Sequence, residues 1–234
     1  MKIVKLLAVM LLGALLYQGG RTLLESEALE LKEFEVEGNT ESRVSTGQLV
    51  RATGVHPGER LVGISTGKVA GRLEKLPWVQ EAEVERILPS TLRISITERE
   101  PALVVETGQG PFLVDGNGLV LQQGTDSLPV VRDLPLEALG PGTTITTAEF
   151  AHASEILSSL PPEISSDVSA VSASSIDQIQ IETRGGPLIY YGAAEQIPEK
   201  NFAVQALIEK IPSAARASTV VDVRVPSRPS TRTV

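Results

Sequence analysis

Ser65 lies in Gly63-Ile64-Ser65-Thr66-Gly67, the G-x-S-x-G spacing that in a nucleophile elbow lifts a serine hydroxyl toward a histidine and an acid. The only two histidines do not fit that arrangement. His56 precedes the serine in a Pro-Gly loop, and His152 falls in a predicted amphipathic helix far along the chain. A serine at a helix start is the simpler reading, and an exported hydrolase would rest on Ser65 alone. Asp115-Gly116-Asn117-Gly118 resembles the opening of a calcium loop but lacks the later acidic ligands, so it reads as a turn. Glu81, Glu83 and Glu85 alternate along a predicted strand, which places all three on one solvated face. Trp78, the single tryptophan, follows Pro77 at a helix–strand junction, where core packing competes with a partner contact. Cysteine is absent, which excludes disulfides, cysteine–zinc sites, iron–sulfur ligation and thiol catalysis. The histidines match no metal-ligand spacing. No catalytic residue, metal site or cofactor site follows from these residues.

Recognition has a better case than catalysis. Residues 219–225, Thr-Val-Val-Asp-Val-Arg-Val, read as a closing strand of β-branched residues, with Pro226 and Pro229 ending its ladder. Val221, Val223 and Val225 would share one face, and Val220, Asp222 and Arg224 the other. At a sheet edge such a strand presents unpaired N–H and C=O groups that can accept a strand from another chain. In a sheet interior it would be fully paired. The sequence is compatible with both.

The elements that must position these residues follow from composition and periodicity. The chain has 234 residues, 41% hydrophobic and 21% charged, enough for two small domains with buried cores. Aromatics are only 3%, so the cores must be aliphatic. The net charge of −8 argues against non-specific nucleic-acid binding. That charge is unevenly placed: residues 1–24 carry Lys2, Lys5 and Arg21 and no acid, leaving 18 basic against 29 acidic residues beyond them. Residues 6–20 form an uncharged run from Leu6 through Leu16, and with its apolar flanks and a snorkelling Lys5 it reaches a membrane-spanning length of about 20 residues. Lys2 and Lys5 set its start in the cytoplasm, with everything past Arg21 outside. An uncleaved anchor is favoured over a cleaved signal peptide, because the nearest small-x-small site, Ser26-Glu27-Ala28, lies behind two charges.

Residues 29–99 read as β-α-α-β-β. A strand carries Phe34 and Val36; Ser45 caps a helix with Leu49 and Val50; Ser65 or Thr66 starts a second with Val69, Leu73 and Leu76 on one face. Two strands follow, through Val79, Ala82 and Val84 and through Leu92, Ile94 and Ile96. In residues 100–226, Gly116-Asn117-Gly118 joins a hairpin, and Gly185-Gly186 turns between Ile179-x-Ile181 and the run from Leu188 to Tyr191. Thr147 and Pro198 open two helices. Residues 129–141 read as loop, and 227–234 as a flexible tail.

Leu76-Pro77-Trp78-Val79, Ala82-x-Val84-x-Arg86-x-x-Pro89-x-Thr91-Leu92-x-Ile94-x-Ile96 and Glu98-Arg99-x-Pro101 resemble the POTRA domain of the FtsQ/DivIB division proteins. The likeness continues in Val114-Asp115-x-x-Gly118-x-Val120, Leu128-Pro129-Val130, Tyr191-Gly192 with Lys200, and Val221-Asp222-Val223-Arg224. The resemblance implies an α+β chain: a transmembrane signal-anchor over 1–24, a POTRA domain over 29–99 and a β domain over 100–226. That last domain would hold a mostly antiparallel sheet and two helices. It implies a non-catalytic, single-pass division protein of the cytoplasmic membrane that docks FtsB/FtsL partners by strand addition and links septal wall synthesis to the division ring. Carried onto this chain, the docking positions are Thr219, Val220, Val221, Asp222, Val223, Arg224 and Val225, with Tyr190, Tyr191 and Lys200 as neighbours. The alternative is another POTRA-containing envelope factor that handles polypeptide clients. It is disfavoured by the single unit and by the lack of a series of lipid-facing strands.

Overall fold

A computed structural model describes residues 29–37 and 43–233. The anchor expected over 1–24, with Lys5, Leu6, Leu16 and Arg21, lies outside the described residues. Among the described residues no helix is long and apolar enough to cross a membrane. The chain divides into two compact units, with the boundary between Arg99 and Glu100.

The first unit is a three-stranded sheet carrying two short helices. Its elements are β1 (Glu33–Glu37), α1 (Thr46–Thr53), α2 (Thr66–Leu73), β2 (Val79–Ile87) and β3 (Thr91–Glu98). The sheet order is β1-β3-β2, with β1 parallel and β2 antiparallel to the central β3. Alternation explains why it has one wet face. Leu92, Ile94 and Ile96 on β3 and Ala82 and Val84 on β2 are buried, while Glu81, Glu83 and Glu85 point to solvent. On the same outer face Arg93 pairs with Glu35 and Glu37 of β1. Leu49 of α1 and Val69 and Leu73 of α2 close the core from the other side. A fully buried aliphatic side chain of this kind is worth about 1.5–3 kcal/mol.

Ser45 starts α1 with a reciprocal cap: its hydroxyl accepts from the Gln48 N–H, and the Gln48 side chain accepts from the Ser45 N–H at 2.9 Å. Gly54 ends the helix at φ +62, where a side chain would be strained and its Cβ would lie 2.8 Å from Arg72 Nη1. Ser65 takes the N-cap position of α2 without a side-chain hydrogen bond. The residues before it form a short 3-10 turn, Leu61–Gly63, rather than the strand that a nucleophile elbow requires. His152 belongs to a helix of the second unit. Trp78 is buried at the end of the turn after α2, with the Arg43 guanidinium 5.2 Å from its ring centre.

The second unit is built on a nine-stranded sheet, β12-β11-β10-β9-β8-β7-β4-β5-β6. Its strands are β4 (Pro101–Thr107), β5 (Gly110–Asp115), β6 (Val120–Gln123), β7 (Val130–Arg132), β8 (Val168–Ala173), β9 (Ile179–Thr183), β10 (Leu188–Tyr190), β11 (Thr219–Asp222) and β12 (Ser230–Thr233). Five of the eight pairings are antiparallel; β4–β7, β7–β8 and β10–β11 are parallel. The helices are α3 (Ala148–Ser159), the single turn α4 (Pro162–Ser165) and α5 (Ile197–Lys210). Phe150, Ala153 and Ile156 of α3 and Ala203 and Val204 of α5 share one core with Val131, Val171, Ile181, Ile189, Val221 and Val223. In the β5–β6 turn, Asp115 Oδ1 accepts from the N–H groups of Asn117 (2.8 Å) and Leu119 (2.9 Å), so the acid shapes the turn.

Two readings are corrected here. Residues 129–141 contain strand β7, a three-residue element whose periodicity is too short to register. Residues 227–234 are not a free tail, because Ser230–Thr233 form β12 along β11. Nothing in Ser-Thr-Arg-Thr is apolar, so no alternation marks it as a strand.

Candidate docking site

Residues 219–225 do not form the margin of the sheet. β11 pairs in parallel with β10 on one side and antiparallel with β12 on the other, so the expectation of a free flank on the valine-rich strand is overturned. The strand also stops three residues earlier than expected. Asp222 turns the chain out: its carboxylate accepts from the Arg224 N–H at 3.2 Å and from the Arg224 guanidinium at 2.6–3.2 Å. Arg224 thereby holds the Asp222 carboxyl below the usual carboxylate range, and its own guanidinium is raised by the same partner.

The register identifies which backbone groups remain available. The Val223 N–H donates to the Tyr190 carbonyl at 3.0 Å. Successive strand residues direct their N–H and C=O to opposite flanks, so Thr219, Val221 and Val223 address β10 while Val220 and Asp222 address β12. Val220 pairs with Arg232 and Asp222 with Ser230, and these are the hydrogen-bonded pairs of the hairpin. Thr231 and Thr233 therefore turn their backbone groups to the outer flank of β12, which no strand covers among the described residues.

The two faces beside that flank differ in chemistry. Tyr190, Asp222 and Ser230 form one row across the sheet, and Leu188, Val220 and Arg232 the next row on the same face. Here the Tyr190 ring has two guanidinium groups within reach of its centre, Arg224 at 5.5 Å and Arg232 at 5.4 Å. Gly192 permits this packing: at φ +74 it has no side chain, and a Cβ would come 3.0 Å from Arg224 Cγ. The opposite face carries Ile189, Val221 and Thr231 and is the one on which α5 packs. A groove of about 470 Å³ runs there along α5, lined by Pro198, Phe202, Ala206, Lys210, Pro226 and Pro229. Phe202 is 74% exposed and Val225 57%.

The remaining expected neighbours are placed elsewhere. Tyr191 and Lys200 are buried, as are Thr219, Val220, Val221 and Val223. Tyr191 donates its hydroxyl to Asn201 Oδ1 at 2.9 Å, and Asn201 Nδ2 donates to the Ser159 carbonyl at 2.8 Å, tying α5 to the end of α3. Lys200 Nζ donates to the Ala193 carbonyl at 2.8 Å and lies 5.2 Å from the Tyr191 ring centre. Burial pushes the Tyr191 phenol up and the Lys200 ammonium down. These residues hold the helix against the sheet and are closed to a partner. Of the expected docking residues, Tyr190, Asp222, Arg224 and Val225 retain access to solvent. Sequence reasoning missed Thr231, Arg232, Thr233 and Phe202. Only Phe202 carried a signal, an aromatic on the polar side of a helix whose other face is Ala203 and Val204.

Residues 29–99 match the family described as "POTRA domain, FtsQ-type". The chain is 30% identical over 205 residues to "Cell division protein FtsQ" of Mycolicibacterium smegmatis, an alignment covering 87% of this chain and 57% of that protein. Against the protein of the same name from Streptomyces coelicolor it is 30% identical over 179 residues, 73% of this chain and 68% of the relative. For Corynebacterium glutamicum FtsQ the identity is 25% over 182 residues, covering 78% and 80%. The chain thus spans about three fifths of the mycobacterial relatives it matches. With the β-α-α-β-β unit and the sheet that follows it, these matches establish that the chain belongs to the FtsQ family of cell division proteins.

Proposed function

We propose that this chain is a non-catalytic scaffold of the division machinery that docks FtsB/FtsL-type partners by adding one of their strands to β12. The apolar segment within residues 1–24 tethers it in the cytoplasmic membrane with the N-terminus inside, and both units work outside at the septum. By holding its partners there it connects septal wall synthesis to the division ring. The observation that carries this reading is the outer flank of β12, where Thr231 and Thr233 present backbone donors and acceptors to no other strand among the described residues.

The surroundings define the partner's strand. Its side chains alternate between two environments. On the arginine face, beside Arg224 and Arg232, carboxylates fit; on the helix face, beside the Phe202 groove, apolar residues fit. An apolar–acidic alternation is therefore the expected pattern. In vivo photocrosslinking along 219–225 and 230–233 and at Phe202 tests the site. Crosslinks to the partner are expected at Thr231, Thr233 and Phe202 and not at the buried Val221. Capture at none of the β12 positions would refute the docking edge.

A further inference from the structure

β12 is held with little burial. All four of its side chains are exposed, and among the described residues it pairs with a strand on one flank only. Only Ser230 and Arg232 direct backbone groups to β11. The ladder alone is thus a weak fastening for a docking edge.

We propose that Tyr190 is a positioning residue that fastens β12 to the sheet through Arg232, and is not itself a contact of the partner. The ring projects from β10, two strands in from the edge, and reaches across β11. Arg232 Nη2 donates to the Tyr190 hydroxyl at 3.3 Å, with its guanidinium 5.4 Å from the ring centre. The ring's other neighbour, Arg224, is itself fixed by the Asp222 carboxylate, with Nη2–Oδ2 at 2.6 Å and Nε–Oδ1 at 3.0 Å. A chain of contacts therefore runs from the ordered turn after β11, through Arg224 and Tyr190, to the outermost strand. Its consequence for recognition is entropic. A strand that adds to β12 needs the Thr231 and Thr233 groups in fixed register, and an edge ordered beforehand spares the partner the cost of ordering it.

This inference rests on the reading of β12 as the docking edge, but its first test does not need a partner. Millisecond-resolved hydrogen exchange on the full chain in detergent micelles reads the order of residues 230–233 directly. Tyr190→Ala is expected to speed their exchange about three- to tenfold, the range for losing one exposed cation–π contact and its hydrogen bond. Exchange in β8 and β9 should be unchanged. Arg232→Gln, which leaves β10 intact, should give the same acceleration, and Tyr190→Phe, which keeps the ring, should stay near the parent. Docking of the FtsB/FtsL pair should weaken in Tyr190→Ala by a similar factor. Unchanged exchange of 230–233 in both Tyr190→Ala and Arg232→Gln would overturn the clasp. So would weakened docking by Tyr190→Ala with β12 exchange unaltered, which would make Tyr190 a direct partner contact. Faster exchange with docking intact would support the clasp and refute β12 as the site.

Discussion

Replacing Thr231 by proline, and separately Arg232 by proline, separates the two flanks of β12. Both residues are exposed and adjacent, so composition does not distinguish them. The register does: Arg232 pairs with Val220 in a hydrogen-bonded pair, while Thr231, opposite Val221, directs its N–H outward. Proline removes one backbone donor and is tolerated in a strand only where that donor faces away from the sheet. Thr231→Pro should therefore leave the folded protein nearly as stable as the parent, within about 0.5 kcal/mol, as for other surface changes. It removes one of the two donors offered to a partner. A backbone hydrogen bond is worth about 0.5–1.5 kcal/mol net, roughly a two- to twelvefold loss of affinity. The pyrrolidine ring also blocks close approach of the added strand, so the total loss should reach at least about tenfold. Arg232→Pro instead removes a ladder bond within the molecule and the contact with Tyr190, so β12 should detach in the absence of any partner. Affinity for the purified FtsB/FtsL-type pair, urea unfolding and exchange of residues 230–233 read these effects separately. Parent-like binding by Thr231→Pro, or equal loss of β12 protection in the two variants, would refute the assignment of flanks.

Three other outcomes follow from the same geometry. Asn201→Leu takes the donor from the Ser159 carbonyl and leaves the Tyr191 hydroxyl only its longer contact with the Ile197 carbonyl at 3.4 Å, at up to about 1–3 kcal/mol for each buried group. The second unit should lose about 2–5 kcal/mol in urea unfolding, partly recovered by adding Tyr191→Phe. Ser45→Ala should cost about 1 kcal/mol because its hydroxyl caps α1, whereas Ser65→Ala should cost less because that hydroxyl makes no capping bond. The ion pair of Asp222 with Arg224 should give an acid dependence. A carboxyl depressed in the folded state stabilises fully above its ordinary value of 3.8 and loses that contribution as pH falls through the lower folded value. With Arg224 56% exposed the effect should stay below about 1 kcal/mol, diminish with salt, and vanish in Asp222→Asn when unfolding is compared between about pH 5 and pH 2.

The legible parts of the sequence were those with strong periodicity or a capping residue. Ser45, Thr147 and the alternation of Leu92, Ile94 and Ile96 each mark an element at or within a residue of its observed start, because burial on one face imposes a pattern on the chain. β7 and β8 escaped this logic. Val130–Arg132 is too short for any period, and Val-Ser-Ala-Val-Ser-Ala alternates only weakly because small residues suffice beneath α3. Parallel pairing hides as well, since β10 and β11 come together across the length of α5 and no turn residue announces the contact. Tyr191 and Lys200 were misplaced for a related reason. Tyr190 closes β10 and Tyr191 is the next residue past it, so the two, indistinguishable as letters, lie on the arginine face and in the core respectively.

The polarity of β12 is itself part of how such an edge works. An exposed apolar edge strand pairs indiscriminately and aggregates, and short, charged edges avoid this. Ser-Thr-Arg-Thr offers two residues' worth of outward backbone bonds and almost no side-chain surface to bury. Backbone bonds are common to every extended peptide, so they cannot select a partner. Selection then falls to what flanks the strand: Arg224 and Arg232 on one face, and on the other the groove that Phe202 lines with Pro226 and Pro229. A peptide lacking carboxylates would leave the guanidinium groups unmatched, and one lacking apolar residues would leave the Phe202 groove wet. The buried valines of β11 fix the neighbouring strand to the core, so under the proposed reading the strand most visible in the sequence supports the docking edge without forming it.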